Sequence, residues 1–144
     1  MIKEVTISKK LKEFFKEASN LINEGKLSEA ESFLLKLHKK DPKNDIILVK
    51  LADIVWDMGN LDDAAKYFKI ATVINPNFEA ASLGLFHVLW ELDRKEEELL
   101  EIKRFSQDSY CGDYLEIVEE LSEHEYYNKI IKKIKFNIKN MKKE

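Results

Sequence analysis

The chain has 144 residues, 44% of them hydrophobic and 35% charged, which suits one compact domain with a core and excludes wholesale disorder. Apolar runs such as 46–49 are far too short to cross a bilayer, and a single cysteine, Cys111, excludes an internal disulfide framework. The net charge of −3 is uneven: residues 129–144 hold seven lysines and one glutamate, +6, which leaves −9 on the remainder, a statement about partners and solubility and not about fold. The opening MIKEVTISKKLKEFF lacks the apolar region of a secretory signal, so the expected setting is a reducing cytoplasm.

In chain order, helical spacing predicts helices near 8–24 and 27–40, separated by Gly25. The segment 46–58 is apolar nearly all round, broken only by Lys50, Asp53 and Asp57, as in a helix buried on more than one side. Gly59 ends it as a glycine just past a helix does. Asn60 or Asp62 can cap the next helix, which shows Leu61, Ala64, Ala65, Phe68, Ala71 and Thr72 at helical spacing and stops at Asn75-Pro76. A third pair is predicted at 80–92 and near 96–106. Beyond it, Tyr114, Ile117, Val118 and Leu121 share a face. Ser122 and Glu125 form a capping box that starts a last helix with the stripe Tyr126, Ile130, Ile134, Ile138 and Met141. This helix is expected to cover the open end of the molecule with its lysines outward. No window alternates strictly between apolar and polar residues, so the chain reads as all-α.

The same phrase is written twice. Gly25 and Gly59, Leu27 and Leu61, Ala30 and Ala64, and Pro42 and Pro76 are each 34 residues apart. A fixed period of this size marks stacked supersecondary units. With Leu34/Phe68 and Leu37/Ala71 at the same offset, the sequence resembles the tetratricopeptide repeat family. The repeats fall at 11–44, 45–78 and 79–112. The first carries Phe14 and Ala18 at its large and small positions. The third is degenerate, with Asp93, Glu98 and Tyr110 where glycine, alanine and proline belong, and its second helix can be displaced. The resemblance implies a right-handed helical-hairpin solenoid of about three repeats, one domain over 1–144, with capping helices at 113–144.

Stepping by 34 along the first helix of each repeat gives columns: Phe15/Val49/Leu83, Ser19/Asp53/His87, Ile22/Trp56/Trp90 and Asn23/Asp57/Glu91. Within one helix the first three lie on one face. In the resembled family that face lines a concave groove where peptides or partner domains dock. The implied partner-binding residues are Phe15, Ile22, Val49, Asp53, Trp56, Asp57, Leu83, His87, Trp90 and Glu91. Tryptophans are frequent binding hot spots, and the carboxylates favour a Lys- or Arg-bearing partner segment. The competing reading is that Trp56 and Trp90 are core residues. Some family members clamp a C-terminal carboxylate with lysine and asparagine. The matching places here hold Phe15, Val49 and Leu83 with Ser19, Asp53 and His87, so that clamp is absent and an acidic tail is a poor ligand for this groove.

Asp53, Asp57, His87 and Glu91 could converge on a divalent metal, but an ordinary polar stripe explains them as well, and no metal or cofactor is expected. The sequence has no phosphate loop, His-Glu-x-x-His, Cys-x-x-Cys or Gly-x-Ser-x-Gly motif. The histidines are scattered, with His38 expected to face solvent, and Cys111 reads as an inert thiol. The lysine-rich tail reads as a solvated helix face, and nucleic-acid or membrane binding is not expected. The expected function is non-catalytic binding of a protein or peptide partner. The alternative is a small bacterial immunity protein or secretion chaperone dedicated to one client. The partner, the oligomeric state and occupation of the groove by the chain's own start are not specified by the sequence.

Overall fold

A computed structural model describes residues 9–108 together with Glu120, Leu121, Asn128, Lys132, Phe136 and Asn140. Through residue 108 it forms six helices: α1 Lys9–Asn23, α2 Leu27–Lys40, α3 Asp45–Asp57, α4 Leu61–Ile74, α5 Glu79–Glu91 and α6 Lys95–Asp108. No described residue lies in a strand. Each helix packs on its sequence neighbour, and α3 also meets α5, as in an array of helical hairpins. The expected final helix, with Tyr126, Ile130, Ile134, Ile138 and Met141, lies outside the described residues, as do the Ser122/Glu125 box, Cys111 and His124. Of the expected 113–144 cap only scattered positions are described: Leu121 is buried and Phe136 is exposed.

The 34-residue period is kept through the third pair. The bounds of α2, α4 and α6 follow one another at that offset, as do those of α3 and α5. The second helix of the third repeat is therefore not displaced, despite its degenerate sequence. The reason is Asp93, which adopts φ 56°, in line with φ 77° at Gly25 and 83° at Gly59. A short polar side chain tolerates this left-handed conformation better than most. It closes α5 with the same two bonds that glycine allows elsewhere. The Asp93 N–H donates to the Trp90 carbonyl at 3.1 Å and Arg94 N–H to Leu89 at 3.0 Å, matching Gly59 to Trp56 at 2.8 Å and Asn60 to Val55 at 2.8 Å.

Capping departs from expectation. Asn60 stands at the N-cap of α4 but makes no side-chain bond there, and Asp62 instead accepts from Arg94 Nη2 at 2.7 Å. The working cap is Asn44, whose Oδ1 accepts from the backbone N–H groups of Ile46 and Ile47, each at 3.1 Å.

The core runs between the helices as a chain of clusters. Leu34 and Leu37 of α2 meet Ile47, Leu51 and Ile54 of α3, around Ala18 and Ala30. Ala64, Ala65 and Phe68 of α4 meet Val55 of α3 and Leu85, Val88 and Leu89 of α5. Small residues let the helix axes approach, and Ala30 and Ala64 are fully buried. At Gly84 in α5 the helices also meet closely: a Cβ there would overlap the Phe68 ring, with Cδ1 2.8 Å away.

Candidate functional site

The first helices of the three pairs, α1, α3 and α5, carry all ten residues expected to bind a partner. Phe15, Ile22 and Val49 are half-buried and pack on the core clusters beneath them. Leu83 is also half-buried, while Asp53, Asp57, His87, Trp90 and Glu91 are exposed. The face therefore has an apolar floor beneath a line of polar groups.

Trp56 organises the middle of this face. Its ring packs edge-on against core residue Phe68, with centroids 6.1 Å apart at 86°, and stacks on His87 at 6.3 Å and 24°. Its indole Nε1–H donates to Glu91 Oε1 at 3.1 Å. Trp56 is thus both core and surface: one side anchors the α3–α4 hairpin and the other carries α5 groups. Trp90 stands at the same repeat position yet is 44% exposed, resting near Phe86 with centroids 6.4 Å apart. The two tryptophans share a column but not an environment.

Lys50, which the columns do not include, ties α3 to α1. Its Nζ lies 5.0 Å from the centre of the Phe15 ring, a cation–π distance. Asp53 follows three residues later on the same helix. Loss of hydration, then the like charge of Asp57, push its carboxyl up from 3.8 to about 6, with Lys50 opposing. Among the described residues no three His, Cys, Asp or Glu side chains are grouped to hold a metal, and Glu91 is engaged by Trp56 instead.

Other polar groups fall where the sequence reading did not place them. His38 is half-buried, with Nδ1 enclosed and unpartnered, so it does not simply face solvent. Ser82 Oγ donates to Glu101 Oε1 at 2.8 Å, and Arg104 Nε donates to Glu101 Oε2 at 3.0 Å. Arg104 Nη1 also reaches the Pro76 carbonyl at 3.0 Å. This network sews α6 to α5 and to the α4–α5 turn. The period held a signal for it: Ser82 and Glu101 stand where the preceding pair has Leu48 and Tyr67.

No described helix is long and apolar enough to cross a membrane. Against known proteins, the tetratricopeptide repeat family model matches residues 21–83. No curated protein sequence matches the chain. Among solved structures, the Sgt2 TPR domain from Aspergillus fumigatus is similar with a TM-score of 0.62 and 14% identity, over 95% of this chain and 84% of that one. A MamA RS-1 ArsTM double mutant matches with a TM-score of 0.62 and 19% identity, over 69% of this chain. That match spans 56%, little more than half, of the MamA chain. At such identities the likeness is one of fold. The matched segment, the 34-residue spacing of the helices and the repeated glycine-type closures agree: residues 21–83 are similar to the tetratricopeptide repeat family, and the same hairpin is carried on to residue 108.

Proposed function

We propose that the chain is a non-catalytic interaction module that docks a partner protein or peptide on the concave face formed by α1, α3 and α5. The observation that carries this reading is the cluster of Trp56, His87 and Glu91 beside the exposed Trp90. An aromatic surface joined to hydrogen-bonding groups is what binding hot spots consist of. Asp53, Asp57 and Glu91 give the middle of the face a negative sign, with Lys50 beside them, and favour a partner segment bearing lysine or arginine. The repeat family is in general one of interaction modules, which supports binding over catalysis.

The experiment is affinity purification from cells of the source organism with the wild-type chain and with Asp53→Lys/Glu91→Lys. The wild type is expected to retain a discrete partner that the double variant loses, while the variant's melting temperature stays within a few degrees of wild type. Retention of the same partner by the variant would move the docking surface elsewhere.

A further inference from the structure

On another side of the molecule, a cleft of about 320 Å³ opens between α4 and α6. Its floor is formed by Ala65, Leu85 and Leu89, which are buried, and Leu100 stands at its edge 64% exposed. At one end the Arg94–Asp62 ion pair bridges the two walls at 2.7 Å.

The preceding junction shows why this one is open. Tyr67 lies 34 residues before Glu101. Its side chain packs on the core clusters of both neighbouring hairpins. In that position burial, and then the charges of Asp63 and Glu31, raise the pKa of its hydroxyl. At the equivalent place Glu101 is drawn in to Ser82 and clasped by Arg104. The aromatic ring that closes the first junction is thus missing from the second. Two charged groups of the cleft are already engaged, Arg94 by Asp62 and Glu101 by Arg104. Among the described residues, Lys66 and Lys69 on the α4 wall make no ion pair, and Glu97 is the lining carboxylate left without one. Outside the lysine-rich end the chain carries −9, so an apolar cleft edged by two available lysines is a local exception.

We infer that this cleft is a second interaction site, taking a short acidic peptide segment that inserts an aromatic or aliphatic side chain. The apolar group would rest on Leu85 and Leu89 under Leu100, where the first junction keeps Tyr67, and flanking carboxylates would meet Lys66 and Lys69. The sign is opposite to that of Asp53, Asp57 and Glu91, so the two faces select different ligands, and this inference does not rest on the proposed docking face.

The test is an NMR titration of the ¹⁵N-labelled full chain with the end-blocked peptide Gly-Glu-Leu-Phe-Glu-Gly and with Gly-Lys-Leu-Phe-Lys-Gly. Saturable amide shifts confined to α4, α6 and the adjoining part of α5 are expected with the acidic peptide, with affinity about tenfold lower for the basic one. Lys66→Glu/Lys69→Glu, both at exposed positions, is expected to weaken the acidic peptide about fivefold or more without disturbing the rest of the spectrum. Asp53→Lys is expected to leave its affinity unchanged. Absence of saturation up to about 5 mM peptide, equal affinity for the two peptides, or shifts centred on α3 would overturn the inference.

Discussion

Glu98 brings a carboxyl into the place that Ala30 and Ala64 hold in the two preceding hairpins. It is 1% exposed, and neither carboxylate oxygen has a hydrogen-bond partner among the described residues. Desolvation pushes it up from 4.5 to about 7, with Lys95 opposing and Asp93 adding to the rise. The folded state thus keeps a proton that the unfolded chain releases near 4.5. The stability that follows is fully present below that pH and is lost as pH rises through about 7. Relative to Glu98→Gln, the wild type is expected to lose up to about 3 kcal/mol between pH 4.5 and pH 8, read from urea unfolding across the series. Parallel curves for the two proteins would show that Glu98 does not titrate in the fold. A second residue-scale case is Gly84. Alanine is worth about 1 kcal/mol over glycine inside a helix, but here its Cβ would overlap the Phe68 ring. Overpacking costs about 1–3 kcal/mol, so Gly84→Ala is expected to lower the melting temperature. A rise would mean that α5 can retreat from α4 at no cost.

At the scale of the helices, spacing alone located every element through residue 108 to within a residue or two, because glycine and proline recur at fixed intervals and the apolar residues follow them. The third hairpin was harder to read, since its glycine, alanine and proline are all replaced. Its register survives because Asp93 takes the left-handed conformation in glycine's stead. That substitution carries strain, so Asp93→Gly is expected to raise stability by about 1 kcal/mol, and Asp93→Val to lower it by more. The loss of the exposed Lys95 contact at 3.7 Å is a minor term beside this. If Asp93→Gly proves destabilising in chemical unfolding, the side chain does more than occupy the turn. The polar interior of this hairpin was less legible. Glu96, Glu97 and Glu98 look alike in a charged helix, and only the third is buried. The offset from Ala64 marks Glu98 as inward, but a buried carboxylate runs against the ordinary cost of burial, so composition points the wrong way.

For the whole molecule, repetition turns single side chains into faces. The columns read from the sequence gathered Trp56, His87 and Glu91 on α3 and α5, where the structure joins them. They missed Lys50, because its contact with Phe15 runs between helices and off the column. They also could not separate Trp56 from Trp90, since a shared repeat position does not fix how much the next hairpin covers. The central claim is that the α1–α3–α5 face receives the partner. It is tested most directly by site-specific photocrosslinking in lysate of the source organism, with Trp90→p-benzoylphenylalanine compared with the same group at Val73, which is 70% exposed on α4. The account predicts one discrete adduct from position 90, abolished by Asp53→Lys and absent from position 73. The same adducts from both positions, or an adduct from position 90 indifferent to Asp53→Lys, would contradict it.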